Sequence, residues 1–177
     1  MSHKKSSTQV ALGGLSAALC LVIMLGTVLI PFATYAAPAL AGIALIPIAL
    51  ELGLPVAGVT YTSVALLSLL MVPDREAALM FIAFFGYYPI LKFKLDRMKL
   101  RLLRILLKLM IFNASIIAGY FVIIYLLGLH YLMDELTGGF GWLLLTVGNL
   151  CFPIYELALR NITALYLFRI RKNIFRQ

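Results

Sequence analysis

The chain has 177 residues, of which 63% are apolar and 12% charged, and its mean hydropathy is +1.03. A soluble domain is about 45–50% apolar and about 25% charged, so too little polar surface exists here to cover a water-facing globule. A soluble enzyme and a disordered tail are both excluded. The net charge of +8 resides on cations at the ends of apolar runs, where bilayer orientation and attraction to anionic lipid account for it without a nucleic-acid partner.

Six apolar runs are predicted to form one integral membrane domain over residues 1–177, with spans at about 10–30, 36–50, 56–72, 77–91, 109–129 and 140–168. The first run, Val10 to Ile30, follows Lys4 and Lys5. It begins as a secretory signal does, with Tyr35-Ala36-Ala37 as a loose cleavage site, but its apolar stretch is too long and five more follow, so it is read as a retained span. Pro31 ends it. The second run stops at Glu51, Gly53 and Pro55, and the third closes on Pro73-Asp74-Arg75-Glu76. The fourth, Ala77 to Leu91, reaches only about 22 Å at 1.5 Å per residue against a core of about 30 Å, and a re-entrant segment is the alternative to a span. The loop after the fifth run carries His130, Asp134, Glu135 and the pair Gly138-Gly139, and the sixth run ends in a tail with Arg169, Arg171, Lys172 and Arg176.

Cation placement favours six spans. With both termini in the cytoplasm, two cations fall at the N-terminus, seven between the fourth and fifth spans, and four in the tail, so thirteen of fifteen lie inside and only Arg75 lies outside. The expected fold is therefore all-α, a six-transmembrane-helix bundle in a bacterial inner (plasma) membrane with both ends cytoplasmic. Lys92 to Lys108 (KFKLDRMKLRLLRILLK) mixes cations with Leu and Met at near-helical spacing. It reads as a basic interfacial helix between spans 4 and 5, lying on anionic lipid; the sharper alternative is a docking surface for a protein partner.

Residues that carry chemistry are few. There is no Gly-x-Ser-x-Gly, no His-Glu-x-x-His and no Walker A loop, and the histidines, His3 and His130, sit in a tail and a loop. No catalytic residue, no metal and no cofactor is expected. Cys20 and Cys151 each lie inside an apolar run and read as packing residues. Gly13 with Ala17, and Gly14 with Ala18, stand at small-x-x-x-small spacing in the first run, which lets another helix approach closely. That face serves either packing within the bundle or contact with a separate membrane subunit. Glu156 and Arg160 stand at i, i+4 on the last run and read as an intramembrane ion pair, with Arg160 snorkelling to the inner interface.

Toward the outer side lie Phe32, Thr34, Tyr35, Ser68, Asp74, Arg75, Tyr120, Tyr125 and Trp142, with Asn149 near mid-depth. The aromatics among them suit an interfacial belt. Alternatively Thr34, Tyr35, Ser68, Arg75, Tyr120 and Asn149 line an outward-facing substrate pocket.

The size, the six runs, the basic N-terminus before ALGGLSAAL, and a Pro- and Ala-rich second run (AAPALAGIALIPIALELG) meeting LPVAGVTYTSVALLSLL together resemble the substrate-binding (S) component of energy-coupling factor transporters. The resemblance implies uptake of a small solute such as a vitamin or its precursor, captured on the outer face. It also implies a transmembrane coupling subunit and two cytoplasmic ATPases as partners, with Gly13, Gly14, Ala17 and Ala18 as the coupling face. The chain departs from a metal carrier in having no charged or histidine-rich pocket, so an apolar or aromatic solute fits better. The competing expectation is a structural, scaffolding six-span protein of cell-envelope machinery, similar to the rod-shape-determining type, with Lys92 to Lys108 as its contact surface.

Overall fold

The structure is a computed structural model that describes residues 2–30, 33–126 and 141–170. Phe32, the loop with His130, Asp134 and Glu135, and the tail cations Arg171, Lys172 and Arg176 lie outside the described residues. Those described are helical, with no strand among them: α1 (Ser2–Leu25), α2 (Ala36–Ile43), α3 (Ile46–Glu51), α4 (Leu54–Met71), α5 (Arg75–Met80), α6 (Tyr88–Leu95), α7 (Arg101–Leu126) and α8 (Gly141–Leu165). A 3-10 turn at Gly26–Val28 extends α1, and a π turn at Phe81–Phe85 joins α5 toward α6.

Five helical stretches are long and apolar enough to cross a membrane: Gln9–Val28, Leu54–Met71, Arg75–Leu95, Arg101–Val122 and Gly141–Phe168. The sixth apolar stretch, Ala36–Glu51, is shorter. It reaches about 24 Å at 1.5 Å per residue, so the short segment is the second and not the fourth. The fourth gains length at both ends. Asp74 caps it, accepting from the Ala77 N–H at 3.0 Å, and Lys92 stays helical with its buried ammonium paired to Asp96 at 2.7 Å.

The chain divides into two compact units, Met1–Arg104 and Ile105–Gln177. In the first, α1 packs on α4 and α2 around a core of Cys20, Leu21, Met24, Leu45, Val64, Val72 and Phe81. Pro47 lacks the N–H that would continue the second helix through residues 44–45, so α2 and α3 are separated there. Two side chains of α1 cover this break: Ser16 Oγ donates to the Ala44 carbonyl at 3.0 Å and Cys20 Sγ to the Ala41 carbonyl at 3.2 Å. Hydroxyl and thiol donors from a neighbouring helix are how broken helices keep their backbone satisfied in lipid. Gly42 lets α2 approach the π turn: a Cβ there would sit 2.0 Å from the Phe85 carbonyl oxygen. Gly53, at φ 90°, makes the left-handed turn between α3 and α4 that other residues rarely adopt.

The core is apolar, as in a soluble bundle, but it admits several polar side chains and much of the surface is apolar as well. Ser16, Thr27, Thr60, Ser68, Lys92, Lys108 and Ser115 are buried, whereas Leu15, Val22, Val59, Leu66, Leu70, Leu102, Met110, Leu150 and Ile154 are exposed. Water would not tolerate so much contiguous apolar surface, and lipid would.

The segment Lys92 to Lys108 is not one interfacial helix. Its first residues finish α6, residues 96–100 are non-helical, and the remainder begins α7. The reason is local: Asp96 closes on Lys92, and the Arg104 guanidinium reaches back across the turn to donate to the Asp96 carbonyl at 3.2 Å.

Candidate functional site

In the first unit the chain reverses between α1 and α2 and again between α4 and α5, at the end remote from the basic turn. Two hydrogen bonds clasp these reversals together. Thr34 Oγ1 donates to Asp74 Oδ2 at 2.9 Å, and the Tyr35 hydroxyl donates to Glu76 Oε1 at 2.6 Å. Asp74 does two jobs, since its other carboxylate oxygen caps α5. The Arg75 guanidinium donates to the Leu69 carbonyl at the end of α4. Thr34 and Asp74 are half-buried, while Tyr35 and Arg75 are exposed.

Three expected substrate residues, Thr34, Tyr35 and Arg75, thus belong to one polar rim. The structure adds Asp74 as the acceptor of Thr34 and Glu76 as the acceptor of Tyr35, while Arg75 donates to the Leu69 carbonyl. Ser68 lies in the same unit but is fully buried, with its hydroxyl donating to the Ala65 carbonyl at 2.8 Å. It serves α4 rather than the rim.

Tyr120 and Asn149 belong to the second unit, where Tyr120 is half-buried on α7. Asn149 is committed to α7: the Asn113 and Asn149 amides donate to each other at 3.0 and 2.8 Å, and each also donates to the carbonyl four residues earlier in its own helix. Both protons of each amide nitrogen are then used, leaving none for a solute.

The same helix pair carries two further rungs. The Phe112 and Phe152 rings lie 4.9 Å apart, and Gly148 keeps α8 close, since a Cβ there would stand 3.1 Å from Phe112 Cζ. Lys108 forms an ion pair with Glu156. The expected partner of Glu156 was Arg160 on its own helix; the structure pairs it instead with Lys108 on the facing helix, and Arg160 is exposed one turn further on. The interhelical partner places a carboxylate against the buried Lys108 ammonium, where a charge out of water gains most from one. Sequence reasoning missed Asn113 and the role of Lys108. The available signal was that positions 108, 112 and 113 can face 156, 152 and 149 in an antiparallel pair.

The small-residue stripe of α1 divides between two faces. Gly13 is buried, and a Cβ there would meet Thr60 Oγ1 of α4 at 3.2 Å; Ala17 packs on the core. Gly14 and Ala18 are exposed, and a Cβ on Gly14 would meet nothing within 4 Å. Half of the stripe is internal packing and half remains open.

No group of three or more His, Cys, Asp or Glu side chains able to hold a metal occurs among the described residues. Comparison with family models, with curated proteins and with solved structures finds no match to this chain.

Proposed function

We propose that this protein is a six-span membrane component of small-solute uptake, the substrate-capturing subunit of an energy-coupling-factor-type transporter, with both termini cytoplasmic. The solute is vitamin-like or a vitamin precursor. The observation that carries the reading is the clasp Thr34–Asp74 and Tyr35–Glu76. It joins two chain reversals at the end away from the basic turn through side-chain hydrogen bonds, an arrangement that a solute with hydroxyl or amine donors can open by competing for the same carboxylates. Arg75 beside them supplies a cation for an acidic substituent.

The coupling subunit and its ATPases would be met through the open half of the first-helix stripe, Gly14 and Ala18. Those positions combine small side chains with exposure, which is what close helix approach in lipid requires. The scaffold alternative loses its continuous docking helix, because the basic segment is split by the turn at residues 96–100.

The test is thermal unfolding of the purified protein across a panel of vitamins and precursors, together with co-purification in mild detergent. A solute at a hundred times its dissociation constant adds about 2.7 kcal/mol, an easily resolved shift. Recovery of a membrane subunit and ATPases, lost in Gly14→Trp, supports the reading. Absence of both any stabilising solute and any such partners rejects it.

A further inference from the structure

At the other end of the first unit, beside the basic turn, a groove of about 350 Å³ opens between α4 and α6. That volume lies within the range of about 300–1,000 Å³ typical of small-molecule sites. Leu54, Gly58 and Tyr61 form one wall, Tyr87 and Ile90 the other, and Lys94 stands at the mouth.

Three details give the groove a chemistry. Gly58 leaves the α4 wall cut away, because a Cβ there would meet nothing within 4 Å. Tyr61 donates its hydroxyl to the Ile82 carbonyl at 2.8 Å, so its polar end is occupied by backbone and its ring remains as apolar lining. Lys94 is exposed and makes no ion pair among the described residues, in contrast to Lys92, which is buried against Asp96. An apolar slot ending in an uncompensated ammonium complements a molecule with a long hydrocarbon body and an anionic head.

We propose that this groove is a binding site for one anionic phospholipid, with an acyl chain lying along Gly58, Tyr61 and Ile90 and the headgroup phosphate on Lys94. Charge complementarity selects the occupant: the apolar lining takes a hydrocarbon chain, and the exposed Lys94 discriminates anionic from zwitterionic headgroups. The site rests on the membrane-embedded part of the proposed reading and is independent of solute capture and of any coupling subunit.

The experiment is native mass spectrometry of the purified full chain in mild detergent, titrated with phosphatidylglycerol or phosphatidylcholine. One phosphatidylglycerol per chain should be retained about fivefold more tightly than phosphatidylcholine, the discrimination that one lysine at a membrane surface supplies. Lys94→Gln should bring phosphatidylglycerol down to the phosphatidylcholine level. Gly58→Leu, whose side chain enters empty space, should reduce retention of both lipids, while Lys99→Gln, outside the groove, should leave both unchanged. Equal retention of the two lipids by the natural chain overturns the proposal, as does Lys94→Gln binding phosphatidylglycerol as tightly as the natural chain. Lys94 is exposed, so its variant reads out even if Gly58→Leu fails to fold. A solute panel without hits would leave these outcomes unaffected.

Discussion

Asn113 and Asn149 form a reciprocal amide pair between α7 and α8, with each side chain both donor and acceptor to the other at 3.0 and 2.8 Å. In an apolar environment each amide depends on the other, because no water replaces a lost partner. Asn149→Leu alone should therefore destabilise the protein, and adding Asn113→Leu should recover part of the loss. Thermal unfolding of the four proteins of this double-mutant cycle should give a coupling of about 0.6–1.7 kcal/mol. Additive effects would show that the pair contributes no interaction of its own.

The rung below it should behave similarly but more strongly. Lys108→Met removes the ammonium that faces the Glu156 carboxylate, whereas Lys108→Met with Glu156→Leu removes both charges. The single variant is expected to be the less stable of the two in detergent melts. Its cost falls below the roughly 3–5 kcal/mol of a fully buried pair, because the Glu156 side chain keeps 22% of its exposure.

Close packing of α2 on the π turn depends on a missing side chain. Gly42→Ala places a Cβ 2.0 Å from the Phe85 carbonyl oxygen, which forces backbone to move and should cost about 1–3 kcal/mol. Gly14→Ala, where a Cβ meets nothing within 4 Å, is the matched control and should melt at or above the natural temperature.

Asp74 is where stability and solute capture meet. Asp74→Ala removes the α5 cap and should cost about 1 kcal/mol in the absence of ligand. Tyr35→Phe removes the exposed hydrogen bond to Glu76 and should leave the ligand-free melting temperature nearly unchanged. If the rim is the capture site, both variants lose the extra stabilisation by the solute that the natural chain binds. Retained solute stabilisation in both would place capture elsewhere.

The relation between sequence and structure differs by level. Apolar runs translate into helices because length and hydropathy are local properties, and the described helices occur where the runs do. Boundaries depended on side-chain partners: the fourth run is two residues longer at its start because Asp74 caps it, and longer at its end because Lys92 finds Asp96. A period of charges and leucines predicted a single interfacial helix, but periodicity is blind to the Arg104 contact that folds residues 96–100 into a turn. Of the candidate site, Thr34, Tyr35 and Arg75 were identifiable from their position in outer loops. Asp74 was placed with them, but its pairing with Thr34, that of Tyr35 with Glu76, and the pairings of Asn149 and Glu156 were not legible, since each requires knowing which distant segments meet. The α1 stripe shows the same limit: spacing identified four small residues, and only packing, of Gly13 against Thr60 and of Ala17 against the core, separated the inner two from the open ones.

The proposed function requires that this chain cross lipid six times, with its first and last residues on the cytoplasmic side. That arrangement turns on Ala36–Glu51, which among the described residues is an apolar stretch shorter than a usual span; if it fails to cross, every later loop changes side. Single cysteines at Ser7, Pro73 and Arg176, in a background without Cys20 and Cys151, report this with a membrane-impermeant thiol reagent. Pro73→Cys should label in intact cells, and Ser7→Cys and Arg176→Cys only after permeabilisation. Labelling of Arg176→Cys from outside, with Ser7→Cys still protected, would contradict the account.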